Sequence, residues 1–310
     1  MKSVLLEVGG DDAGRTLQAL LHDRGGFSHE QARGLIDAGA VRPGPGRSPV
    51  RAGEYARRVQ AGETYQVHFD ESRRYRSNPP ERPGRGYRVV YRDADVVVVD
   101  KDPDVLSVPT RLRDEESLID RLLESEQERG ARHSSLRAVH RLDRDTSGLL
   151  VFARSGRAYV GLKEQFAGRE VERHYVAVVE GCVEPAEGRF TSRLVEDPKT
   201  LRVRSTKRPD VGRVAITEYR VSERLPAATV LAVRLRTGRR NQIRVHCAEA
   251  GHPLVGDRRY GRPSPLIRRA ALHAGSLGFT HPATRRTISF QSALPPDLRG
   301  LIRRLRAGSR

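Results

Sequence analysis

The apolar positions of this chain change their period along its length. In "RTLQALLHDR", Leu17, Leu20 and Leu21 fall at helical spacing, and in "SHEQARGLIDAG" Ala32, Leu35 and Ile36 do the same. Ser28 stands where an N-cap belongs, Gln31 occupies the capping-box position, and Gly39 supplies the stop. "AVRPGPGRSPVRAGEYARRVQAGETYQVHF" then breaks into short strands between Gly and Pro turns. Residues 71–86, "ESRRYRSNPPERPGRG", are charged and rich in Pro and Gly, and read as a linker that cannot build a core. They separate a small unit at 1–70 from a larger one at 87–310.

The larger unit has a different texture. "YRVVYRDADVVVVDKDPDVLSVP" reads as two strands around an Asp-containing turn, with "VVVV" long enough for a buried strand. "SLIDRLLESEQERG" predicts an amphipathic helix with Leu118, Ile119 and Leu122 on its apolar side. "SGLLVFA" reads as a buried strand, and Ser155 as the cap of a helix reaching Phe166. "VERHYVAVVEG" is a strand, "VAITEYRVSE" and "TVLAVRLRTG" form a hairpin, and "NQIRVHCAEAG" is a short helix closed by Gly251. Helices and hairpins mix without strict alternation. The fold class is therefore α+β, with a mixed, largely antiparallel sheet.

Charge narrows the function. Among 310 residues, 57 Lys and Arg face 39 Asp and Glu, a formal net charge of +18. Such an excess suits a polyanionic partner, and arginine forks suit phosphate. The two cysteines, Cys182 and Cys247, have neither zinc spacing nor a C-x-x-C pairing. The first residues are too few and too acidic for a signal peptide, and no apolar stretch approaches membrane-spanning length. A reducing cytoplasm is the expected compartment. P-loop, dinucleotide, H-E-x-x-H and G-x-S-x-G signatures are all missing, which argues against the chemistries they serve.

Two stretches hold the candidate chemistry. In "HRLDRDTSGLLVFARS", Asp143 lies between Arg141 and Arg144, just before a turn of Asp145, Thr146, Ser147 and Gly148. The turn residues read as structural. Asp143 is either one half of an ion pair or an ionised carboxylate able to act as nucleophile or base. A third possibility is a metal site on Asp143 and Asp145, which would share a face in an extended segment. In "RTGRRNQIRVHCAEAGHPLVGDRRYG", Arg240 and Arg244 are four apart and would share a helix face, one holding a carboxylate and the other meeting phosphate.

These residues also carry a resemblance. "HRLDRDTSGLLVFA" resembles the H-R-L-D-x-x-T-S-G-L-L signature of the RluA-type family of RNA pseudouridine synthases. "TGRRNQIRVHCAEAGHPLVGDRRYG" resembles the family's second long motif, departing from it at Asn241, where the family usually has His. "VVYRDADVVVVDKDPDVLSVP" and "LHAGSLGFTHPATRRTISF" resemble its opening hairpin and closing strands. Residues 1–70, helix, helix and small sheet, resemble more loosely an S4-type RNA-binding domain.

The family resemblance implies a pseudouridine synthase fold and the isomerisation of uridine to pseudouridine in RNA. It implies Asp143 as the catalytic aspartate and Arg141 as the residue that fills the place of the displaced nucleotide. Tyr175, in "ERHYVAVVEG", would pack on the uracil; Arg173 stands nearby where the family often has Lys. Arg244 would pair with Asp143, and Ile243 would line the uracil pocket. No cofactor and no metal are implied. RNA is the expected partner, large-subunit ribosomal RNA ahead of transfer RNA, with no membrane and a monomeric chain. An inactive RNA-binding protein of the same fold is the competing reading, and Asp143, Tyr175 and Arg244 all speak against it.

Overall fold

The computed structural model describes residues 2–44, 49–50, 54–70, 86–110, 115–128 and 135–308. The stretch read as a linker lies outside the described residues except for Gly86. The chain divides into two compact units, Met1–Pro83 with Val89–Asp93 and Gly84–Arg88 with Ala94–Arg310.

In the first unit, β1 (Lys2–Glu7) precedes α1 (Leu17–Asp23) and α2 (His29–Asp37), and β2 (Val41–Pro43) and β3 (Thr64–Phe69) follow. The sheet order is β1-β3-β2, with both pairs antiparallel. Leu17, Leu20, Leu21, Ala32, Leu35 and Ile36 are all buried in one core with Tyr65 and Val67 of β3. The capping box closes as the sequence predicts: Gln31 N donates to Ser28 Oγ at 3.1 Å and Ser28 N to Gln31 Oε1 at 2.9 Å. β1 escaped the sequence reading because Leu6 is its only buried residue, so no alternation marks it.

β4 (Tyr87–Arg92) is divided between the units at Val89, and the second unit continues through β5 (Val96–Lys101), α3 (Leu118–Glu128), β6 (Arg137–Ala138), β7 (Ser147–Ala153), α4 (Gly156–Gly168) and β8 (Glu172–Glu180). Then come β9 (Glu187–Glu196), β10 (Val203–Thr206), β11 (Arg213–Leu225), β12 (Ala228–Leu235), α5 (Gln242–Glu249), β13 (Leu272–Thr280), β14 (Thr287–Gln291) and α6 (Pro296–Arg306). The sheet runs β10-β9-β11-β12-β8-β13-β7-β5, with β14 on β13 and β6 on β7. Its register is antiparallel except between β13 and β7, where His273 faces Ser147 and Ala274 faces Gly148 in parallel. The architecture is α+β with a mixed, mostly antiparallel sheet.

The parallel junction positions the site. Gly148 sits there at φ +111, and a Cβ on it would run into the backbone of Ala274. Only glycine permits both the torsion and the approach. β7 is buried at every position, as its unbroken apolar run predicts.

Two details differ from the sequence pattern. Ile119 is only half-buried, and the inner side of α3 carries Leu118, Leu122, Ser125 and a buried Glu126, which pairs with Arg154. α6 went unread although Leu298, Leu301, Ile302 and Leu305 repeat at helical spacing, and all four are buried.

Candidate active site

Asp143 lies on the loop between β6 and β7, and neighbours hold that loop largely by its backbone. Ser107 Oγ donates to Leu142 O at 2.7 Å and accepts from Leu142 N at 3.1 Å. Thr146 N closes a turn onto Asp143 O at 3.1 Å. Lys101 Nζ donates to Arg144 O at 2.8 Å, and also to the carbonyls of Asp102 and Val105. Arg269 Nη1 takes Asp145 O at 3.0 Å. At the start of the loop, His140 Nε2 accepts from Val151 N at 3.1 Å, and its ring stacks on Phe166 at 4.6 Å. Burial, with Arg173 adding, pushes His140 down to about 3, so it is neutral. Burial and then Arg269 bring Lys101 down to about 7, against the pull of Asp145 and Asp143.

The turn also settles the geometry of Asp143 and Asp145. They would share a face only in an extended segment, and here the chain bends between them. Asp143 lines the cleft described below and Asp145 does not. Arg144 turns away to Glu115 at 2.6 Å.

The second stretch is held by its side chains. Gln242 spends its whole amide on the turn before α5: Oε1 accepts from Thr237 Oγ1 and Arg239 N, and Nε2 donates to Ile216 O and Thr217 Oγ1, all within 3.0 Å. Asn241 takes the left-handed conformation at φ 52, which its short amide side chain tolerates. Its Oδ1 accepts from Arg244 Nη1 at 3.3 Å, and its Nδ2 donates to Tyr260 Oη at 3.0 Å. Those are the contacts made by the residue that departs from the family motif. Arg240 precedes α5, pairs with Glu196, and so does not share a helix face with Arg244.

Arg244 reaches Asp143, but not as its tightest partner. Nε and Nη2 each bond the fully buried Asp257 at 2.7 Å, while Nη1 stands 3.5 Å from Asp143 Oδ2. Burial alone would raise the Asp257 pKa; Arg244 and the N–H groups of Arg259 and Tyr260 hold it below the usual carboxylate range. Burial likewise works against the Arg244 charge, and Asp257 and Asp143 more than restore it. The result is a bridge, Asp257–Arg244–Asp143, anchored at its inner end.

These groups line one cleft of about 600 Å³. Arg141 is exposed on its wall. Tyr175, on β8, is 6% exposed, and burial raises its hydroxyl above the ordinary range. Ile243 contributes a buried apolar contact. Asp143, its side chain 20% exposed, is the one carboxylate among the lining residues, against Arg141, Lys163, Arg169, Arg173, Arg213 and Arg239. The structure thus brings all five candidate residues to one place. Sequence reasoning missed Ser107, Lys101, Arg269, Gln242 and Asp257. Asp257 and Gln242 stood inside the quoted second motif, and Lys101 and Ser107 inside the quoted opening hairpin, whereas Arg269 lies outside every quoted stretch.

A lone carboxylate in a basic cleft, beside a buried aromatic ring and an apolar side chain, has the chemistry to receive a flat base carried by a polyanion. Residues 95–249 match the family of RNA pseudouridylate synthases. A ribosomal large subunit pseudouridine synthase D of Xanthomonas campestris is 36% identical over 81% of this chain and 78% of its own. One from Zymomonas mobilis is 30% identical over 92% of this chain and 91% of its own. The solved human RNA pseudouridylate synthase domain containing 1 superposes with a TM-score of 0.55 at 26% identity, covering 70% of this chain and 89% of its own. The human domain containing 4 shares the fold at a TM-score of 0.59 and 22% identity, covering 70% and 92%. The chain belongs to the RNA pseudouridine synthase family, an isomerase family, as its RluA-type motifs implied. Among the described residues, no helix is long and apolar enough to cross a membrane.

Proposed function

We propose that this chain converts specific uridines of large-subunit ribosomal RNA to pseudouridine, with Asp143 as the catalytic carboxylate. The observation that carries the reading is the placement of Asp143 as the only carboxylate, among the described residues, on a cleft whose other charged side chains are cations, with Arg244 held against it by Asp257. The reaction breaks the bond from C1′ to N1 of uracil and makes one from C1′ to C5. The proton lost from C5 is balanced by one gained at N1. No redox step or nucleotide energy is required, and the carboxylate acts at the ribose face as nucleophile or base.

The remaining residues take roles around it. A paired uridine must be flipped out of its stack before it can react. Tyr175 offers a buried face for the uracil, and Ile243 an apolar wall that keeps the freed base from escaping. Arg141, exposed on the wall, fills the gap left in the RNA. Arg244 orients Asp143. The first unit serves as an S4-like RNA-binding module, 1–70, and the catalytic domain begins at 87; α2 carries Arg33 on its exposed side. The compartment is the cytoplasm, where ribosomal RNA is made and modified.

The ribosomal target is supported by the relatives, which are named as large-subunit enzymes. Mapping pseudouridine in total RNA with and without the gene tests it. Loss of signal at large-subunit positions that returns with the wild-type gene, and not with Asp143→Asn, is the expected result. Loss confined to transfer RNA would overturn the target while leaving the chemistry standing.

A further inference from the structure

β8 sends Arg173 and Tyr175 to the same side of the sheet, as residues two apart must go. Both line the cleft. Arg173 is only 7% exposed, yet no hydrogen bond or ion pair joins its guanidinium to another group among the described residues, and its Nε is a buried donor without an acceptor. Its guanidinium carbon lies 5.4 Å from the centre of the Phe166 ring. The other two buried arginines of this unit are fully engaged: Arg244 by Asp257 and Asp143, Arg269 by Asp297 and three carbonyls. A buried charge left without an anion is costly, and chains normally provide one. Here the protein provides none.

The space is kept open around it. A Cβ on Gly238 would stand 2.6 Å from Arg173 Nη1. Gly238 therefore leaves room for the guanidinium at the cleft wall. Arg239, one residue on, has its charge disfavoured by burial and then by Arg213 and Arg169, two like charges that also line the cleft. Four arginines thus line one cleft, and among the described residues none of them pairs with a carboxylate; Asp143, on the same cleft, faces Arg244 instead. Such an arrangement suits anions brought by a ligand, and RNA brings one per nucleotide.

We propose that Arg173 is the seat of one of the two backbone phosphates flanking the uridine that enters the cleft, with Arg169, Arg213 and Arg239 receiving the next phosphates along the strand. This rests on the reading of the cleft as the uridine site. A guanidinium presents a rigid fork of donors to two phosphate oxygens, which a lysine cannot match. Bound RNA would then supply the anion that the folded chain lacks, so part of the binding energy is released only when the strand is correctly seated.

The test uses the full-length enzyme and a stem-loop RNA around the mapped uridine. Each phosphate within two nucleotides of the target is replaced in turn by a neutral methylphosphonate. Affinity, its salt dependence and single-turnover conversion are measured for wild type, Arg173→Met and Arg173→Lys. For one flanking phosphate, neutralisation should weaken wild-type binding about tenfold and Arg173→Met less than about twofold, the signature of a direct contact. Arg173→Met should also flatten the log-affinity against log-salt slope by about 0.7 to 0.9. Should Arg173→Met fail to fold, Arg173→Lys takes its place: it keeps the charge but loses the fork, and the neutralisation penalty should shrink at least about threefold. Equal penalties in wild type and both variants at every phosphate would overturn the assignment. Wild type that makes no pseudouridine in the uncut, fully charged RNA would instead overturn the reading of the cleft.

Discussion

Two segments meet across the cleft, and the protein holds them by opposite means. The loop carrying Asp143 is gripped by its backbone: Ser107, Lys101, Arg269 and Thr146 take the peptide groups of residues 142–146 and leave the carboxylate only its longer contact with Arg244. The start of α5 is gripped by its side chains, with Gln242 spent on the turn and Arg244 spent on Asp257. The difference follows from what each must offer. A reacting carboxylate has to keep its lone pairs for substrate, so the scaffold holds it mainly through its main chain. An orienting guanidinium has five donors, enough to be anchored by some and to present the others.

The sharpest way to break this comparison is to remove the free carboxylate. Asp143→Asn should lower the single-turnover rate at least about a thousandfold, while RNA affinity, which rests on many phosphate contacts, changes little. Retention of a tenth of the activity in a quench-flow assay would remove Asp143 from the chemistry.

Next in size is the anchored arginine. Arg244→Met leaves Asp257 buried without its cation, with only the N–H groups of Arg259 and Tyr260 to hold it, and should destabilise the fold by about 3–5 kcal/mol in urea unfolding. Adding Asp257→Asn should restore much of that loss, and adding Asp143→Asn should restore less, since Asp257 makes the shorter bonds. Equal recovery in the two cycles would mean that the bridge is not anchored at its inner end.

A smaller effect is expected from the backbone grip. Ser107→Ala strands both the N–H and the C=O of the buried Leu142. We expect a drop in kcat of roughly ten- to a hundredfold from a displaced Asp143, with KM near the wild-type value. A change in KM alone would show that Ser107 serves binding instead.

The smallest concerns pH. His140 is neutral when folded, its pKa lowered from 6.5 to about 3. Between those values the unfolded chain binds the extra proton, so stability rises with pH across the window and is lost as pH falls below 6.5. The loss should be on the order of 1–2 kcal/mol by pH 5. His140→Gln should show a flatter stability profile from pH 7 to 5 by thermal melting; an unchanged slope would place the proton elsewhere.

The elements themselves were largely written in local pattern. Buried β7, the capped helices α2 and α4 and the β11–β12 hairpin follow from runs, caps and alternation within a few residues. β1, β9 and β10 did not, because each buries at most one residue and leaves no period to read. The chemistry was legible to a similar depth: the two motifs named Asp143, Arg141, Ile243 and Arg244, and the stretch "ERHYVAVVEG" named Tyr175. Their order along the chain is local information. What the chain pattern could not express is which acid Arg244 holds tightly, since Asp143 lies 101 residues away and Asp257 only 13, and both are plausible partners. Nor could it show that Asp143 and Asp145 part at a turn, that Arg240 falls outside α5, or that Arg173 is buried without an anion. Those facts depend on local turns and on which side chains the packed elements bring to the cleft. Periodicity records which side of an element faces inward. Which charges then face each other, and which face none, is decided only when the elements are packed.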